Sequence, residues 1–148
     1  VIVTLAGASR NPSTRASQAS LAISFGPDSP LNQTAVVPPE HYLQTTQFAE
    51  ICAARRVMDW FQHHSWKDFK GIVVVTDSEY LFTAMTEWIF YAERRGGLPA
   101  VEGTYEWHLQ ELHTEIVAAE AMLPLGVRFW KVRREDNAEA VRLAESVL

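Results

Sequence analysis

Residues 71–80 read GIVVVTDSEY, and the architecture hinges on them. Four β-branched residues, Ile72 to Val75, follow one another with no alternation of apolar and polar character. That is the pattern of a strand buried on both faces of a sheet, so the strand is expected to be central and parallel. Asp77 and Ser78 come next and lead into EYLFTAMTEWIFYAERR, where Leu81, Met85, Trp88 or Ile89, and Ala92 recur at helical spacing. The helix is expected to end at the Gly/Pro break RRGGLPAVEG. Asp77 thus stands between a buried strand and a helix, at the carboxyl edge where parallel sheets gather ligands. The bland role of such a residue is a helix cap, worth about 1 kcal/mol.

Upstream, Thr45 to His64 carries Phe48, Ile51, Cys52, Met58 and Phe61 on one stripe and reads as a helix. Before it, Val1 to Leu5 is strand-like and runs into a Gly-containing turn at TLAGAS, residues 4–9. Ala19 to Phe25 alternates, with Leu21, Ile23 and Phe25 on one half-buried face, and Thr34 to Val37 makes a third short strand ended by Pro38-Pro39. Downstream, Tyr105 to Met122 places Leu109, Leu112, Ile116 and Ala119 on one stripe; Val127 to Val132 is a fifth strand; Asp136-Asn137 caps a last helix running to Leu148. The order predicts an α/β fold: a five-stranded mixed sheet, an antiparallel meander joined to parallel strands, with helices on both faces, over one domain spanning residues 1–148.

The bulk composition narrows the function classes. With 148 residues, 47% of them hydrophobic, the chain can bury a full core. It opens on Val1 inside a strand-like run, as expected of a piece of a longer protein. No stretch of about 18 apolar residues suggests a membrane span, and no basic leader precedes an apolar run. The single cysteine, Cys52, cannot form an internal disulfide and has no zinc-site spacing around it, which fits an intracellular compartment, nuclear or cytoplasmic. A net charge of −5 argues against a strong sequence-independent grip on phosphates and leaves Arg94-Arg95 and Arg133-Arg134 as local basic candidates. His108 and His113 are five apart, off a common helical face, and with His63-His64 are expected at the surface. Trp60, Trp66, Trp107 and Trp130 are expected in the core, while Trp88 leads toward the arginine pair.

The segments QTTQFAEICAA, VVVTDSEYLFTAMTEW and VRFWKVRREDNAEAVRLAESVL, with the opening GASRN and FGPDSPLN, resemble ribonuclease H, especially its fungal branch, over nearly the whole chain and in the right order. That resemblance implies hydrolysis of the RNA strand of an RNA:DNA hybrid, an in-line displacement assisted by two magnesium ions about 3.5–4 Å apart. Such ions need hard oxygen ligands. The family supplies four acids: at the end of strand one, on the first helix, at the end of strand four and at the start of the last helix.

Carried over residue by residue, the helix acid falls on Glu50 in FAEICAA and the strand-four acid on Asp77. The strand-one acid, which bridges both ions in the family, falls on Ala6 in LAGAS; the last acid, four residues after an Asn and two before Leu-Ala, falls on Val141. Neither replacement has a lone pair to give. Glu139 is two residues away on the helix, turned by about 200° from the site; Asp136 is the better stand-in. Without the resemblance, Glu50 would read as a surface residue paired with Arg or Lys.

The family's Asn-Gln-Arg run before the helix acid is Thr46-Gln47-Phe48 here, so of the contacts to sugar hydroxyls only Gln47 survives intact. The His-bearing loop before the last helix is replaced by the short VRREDN. The resemblance places candidate nucleic-acid contacts at Asn11, Thr46, Gln47, Ser78, Trp88, Arg94 and Arg95. The expectation is a catalytically inactive or strongly impaired domain, its losses at residues 6 and 141 natural, kept to bind RNA or an RNA:DNA hybrid. The alternatives are a protein-interaction scaffold and a residual hydrolase using Glu50, Asp77 and Asp136. No cofactor is expected in the first two readings; magnesium or manganese is expected in the third.

Overall fold

The computed structural model describes residues 1–11, 15–39, 43–64, 66–96 and 100–148. The chain forms strands β1 (Ile2–Arg10), β2 (Gln18–Ser24), β3 (Gln33–Val36), β4 (Ile72–Thr76) and β5 (Val127–Lys131). Its helices are α1 (Thr46–Gln62), α2 (Glu79–Thr83), α3 (Ile89–Arg94), α4 (Tyr105–Glu120) and α5 (Ala138–Glu145). A π-helical turn, Ala84–Trp88, joins α2 to α3, and a 3-10 turn, Arg134–Asn137, leads into α5. Part of the predicted break RRGGLPAVEG and the side chain of Trp66 lie outside the described residues.

The sheet order is β3-β2-β1-β4-β5. β1 to β3 form the antiparallel meander, and β4 lies parallel between β1 and β5, as predicted. On one side α1 packs across β1 and β2 and α4 packs on α1, burying Phe48, Ile51, Met58, Phe61, Leu109, Leu112 and Ile116 against Val3, Leu5, Leu21, Ile23, Ile72 and Val74. On the other side α5 covers β1 and β2 through a smaller cluster of Ala6, Ala8, Ala22, Ala140, Val141 and Ala144. Small side chains let that helix lie close to the strands.

Three expectations change. β1 does not turn at Ala6: it continues to Arg10, with Ala6 paired to Ala22 and Gly7 to Leu21. The glycine is needed for proximity rather than for a turn, because a Cβ there would lie 2.6 Å from the Thr46 carbonyl oxygen and 2.9 Å from the Glu50 nitrogen. β2 is buried on both faces from Ala19 to Ser24 rather than on one, since α5 covers the face its small residues present. Val73, expected to be buried, is only half-buried, because α5 does not extend over β4.

Single residues also move. Trp130 is 59% exposed on edge strand β5, while Trp60 is in the core and Trp107 half-buried. His108 is buried instead of exposed; its ring meets Phe48 and Trp107 edge-on, and its Nδ1 lies 3.3 Å from Arg55 Nη1. His113 is half-buried against Phe90, whereas His63 and His64 are exposed as expected. Cys52 is half-buried, and burial pushes its thiol up to about 11, which disfavours the thiolate at neutral pH.

Candidate active site

Three elements bring the retained acids together. α1 starts at its cap, Thr45, whose hydroxyl accepts from the Phe48 amide, and its second turn carries Glu50 against β1 at Gly7. β4 ends at Thr76 and delivers Asp77; Ser78 then caps α2 by accepting from the Leu81 amide at 3.0 Å. The cap foreseen at Asp77 therefore belongs to Ser78.

Each carboxylate is engaged by the chain's own donors. Ser78 Oγ donates to Glu50 Oε2 at 2.5 Å. Asn137 Nδ2 donates to Asp77 Oδ1 at 2.7 Å and to the Leu5 carbonyl at 2.8 Å, bridging the middle of β1 to the residue that follows β4. Arg134 Nη1 lies 3.6 Å from Asp77 Oδ2. Burial pushes the Glu50 carboxyl up to about 7; the negative charge of Asp77 adds to the rise, while Ser78 and Arg134 oppose it. Asn137 was expected to cap the last helix; its side chain caps nothing and serves this bridge instead.

The positions carried over for the other two acids are in a different chemical environment. Ala6 is 2% exposed and Val141 8%, and both belong to the apolar cluster under α5. Neither stand-in replaces them. Asp136 turns outward to Arg133, with Oδ2 3.0 Å from its Nε, and Glu139 pairs with Arg142 at 2.8 Å. The residues do not fit a two-magnesium cage. Of the four acid positions that the resemblance implies for two ions, only two carry carboxylates here, both are already hydrogen-bonded, and one buried acceptor without a partner, Asn137 Oδ1, is a neutral amide. Among the described residues no group of three or more His, Cys, Asp or Glu side chains could hold a metal ion.

The candidate nucleic-acid contacts do not form one cluster. Thr46 Oγ1 is hydrogen-bonded to Ser9 Oγ at 2.8 Å, and Ser78 is buried in its cap. Gln47 is exposed on the first turn of α1, and Asn11 is exposed just past β1 with φ 51°. Trp88 is half-buried at the π-helical turn, lining a groove of about 730 Å³ with Tyr91, Arg95 and Val101. Arg94 is exposed at the end of α3, and the Arg95 guanidinium stacks over the Tyr91 ring at 4.7 Å. These last residues lie along the helix, away from Asp77.

Residue-by-residue reading named Arg134 only as half of a basic pair and Asn137 only as a cap, and missed that both reach Asp77. Their signal was present: a basic residue and an amide in the short VRREDN segment that replaces a longer loop, with Val132 N bonded to Thr76 O at 2.9 Å so that the segment starts beside Asp77.

The chain matches the ribonuclease H family model over residues 1–133. No match was found among curated protein sequences. Among solved structures, LC11-RNase H1 in complex with an RNA/DNA hybrid is 20% identical with a TM-score of 0.61, over 98% of this chain and 94% of that one. RNase H1 from the halophilic archaeon Halobacterium salinarum is 16% identical with a TM-score of 0.60, over 99% and 95% of the two chains. The prototype foamy virus protease-reverse transcriptase is 18% identical with a TM-score of 0.67, this chain matching 20% of its length. No helix among the described residues is long and apolar enough to cross a membrane. With the strand order and the family model in agreement, the chain belongs to the ribonuclease H family.

Proposed function

We propose that this is a non-cleaving ribonuclease H-like domain, of the fungal type by its motifs, that binds RNA or an RNA:DNA hybrid without divalent metal. The observation that carries the reading is the pair Ala6 and Val141, which share one buried cluster of small apolar side chains where the family's chemistry needs two carboxylates. Family membership and the hybrid-bound relative support nucleic acid as the ligand class. On this reading Gln47, Asn11, Trp88 and Arg94 meet the backbone and sugars from outside the old metal site.

The test is binding of a fluorescently labelled RNA:DNA hybrid, followed by anisotropy in EDTA. Affinity is expected to be the same with EDTA and with magnesium. A surface making about three phosphate contacts loses roughly fortyfold in affinity between 50 and 200 mM salt. Binding that vanishes in EDTA sinks the reading.

A second reading, a protein-interaction scaffold, is favoured by one feature: Phe90, Tyr91 and Val101 are exposed around the Trp88 groove. Failure to bind hybrid or RNA at low salt, in a protein that is folded, moves the conclusion there.

A further inference from the structure

We propose that Arg134 is a built-in counter-ion that closes the remaining acid pair to divalent cations. The 3-10 turn that carries it is tied down at both ends. Val132 N bonds to Thr76 O at 2.9 Å, fixing the end of β5 beside the end of β4. Asn137, 2% exposed, is anchored on Leu5 O and Asp77. Between these anchors the Arg134 guanidinium is held by Glu145 of α5, Nη2 to Oε1 3.1 Å, with Nη1 3.6 Å from Asp77 Oδ2. Its charge also acts on Glu50. The neighbouring arginines do not share this placement: Arg133 pairs with Glu135 and Asp136, and Arg142 with Glu139.

A magnesium-like ion sits about 2.0–2.1 Å from a carboxylate oxygen. At Asp77 Oδ2 it would meet a positive guanidinium one contact further out, so the two cations compete for the same oxygen. The lost acids are then one barrier to metal and Arg134 is a second, independent one. Restoring carboxylates at residues 6 and 141 leaves that second barrier in place. The inference rests on the absence of a working metal centre in the proposed function, and it is read without nucleic acid, so the two fail separately.

The experiment is a calorimetric titration with manganese(II) chloride alone, on the parent, Arg134→Gln, Arg134→Ala, Arg134→Lys and the charge control Arg142→Gln. Arg134 is 61% exposed, so its removal is expected to leave the fold intact, which circular dichroism checks. Arg134→Gln and Arg134→Ala are expected to bind manganese about tenfold more tightly than the parent, while Arg134→Lys and Arg142→Gln stay within about twofold of it. Adding Asp77→Asn removes the gain. Equal affinity in the parent and whichever of Arg134→Gln and Arg134→Ala is folded overturns the proposal, as does an equal gain from Arg142→Gln. Cleavage of hybrid by the parent, measured separately, bears on the proposed function and not on this competition.

Discussion

Replacing Glu50 by Gln isolates the electrostatic cost of burying an acid beside Asp77. The Glu50 carboxyl is raised from 4.5 to about 7, chiefly by burial. A rise of about 2.5 units at about 1.36 kcal/mol each makes roughly 3 kcal/mol of differential stability. The sign follows from the two states. Below about pH 4.5 the carboxyl is protonated both folded and unfolded, and the term is absent. Between about 4.5 and 7 the unfolded chain ionises first, so stability falls as pH rises; above 7 the full penalty applies. Gln removes the ionisation and keeps an oxygen for the Ser78 hydroxyl, which donates to Glu50 at 2.5 Å. Urea unfolding of parent and Glu50→Gln at pH 4 and pH 8 is the assay. The variant is expected to match the parent within about 0.5 kcal/mol at pH 4 and to exceed it by about 2–3 kcal/mol at pH 8. A variant less stable than the parent at pH 8 refutes the reasoning, since Glu50 would then be held ionised by a partner the site has not revealed.

Two further substitutions probe the neighbouring packing. Gly7→Ala puts a methyl 2.6 Å from the Thr46 carbonyl oxygen, which is backbone and cannot rotate away, so a loss of about 2–3 kcal/mol is expected in denaturant unfolding; a loss below about 0.5 kcal/mol would show that α1 moves off β1 freely. The pair Ala6→Asp and Val141→Asp buries carboxylates in the cluster under α5, at an expected cost of about 2–4 kcal/mol at pH 7 whose ionisation part is relieved progressively as pH falls from about 7 to about 4, in thermal or urea unfolding across pH. No loss at pH 7 would mean that the cluster is wet.

Much of the fold was legible because its signals are local. The unalternating run Ile72 to Val75 gave a parallel strand, and the stripes of α1 and α4 gave their buried faces. What was hidden depends on contacts distant in sequence. Nothing near TLAGAS says that β1 continues to Arg10, because the reason is its pairing with β2 and the approach of α1 at Gly7. The burial of both faces of β2 required knowing that α5 lies over it, and His108 required knowing that Phe48 faces it. In the site, Glu50, Asp77, Ala6 and Val141 were singled out only by the family resemblance; by type and spacing alone Glu50 reads as a surface residue and Asp77 as a helix cap. The roles of Ser78, Asn137 and Arg134 were not, because each acts on a carboxylate brought to it by another element.

The most direct test of the central claim is an RNA-cleavage assay. Purified parent chain is incubated with end-labelled RNA:DNA hybrid in magnesium and, separately, in manganese, with Asp77→Asn prepared identically as the control for contaminating nuclease. The account predicts no cleavage above the Asp77→Asn background in either metal. Cleavage by the parent that is absent from Asp77→Asn would contradict it.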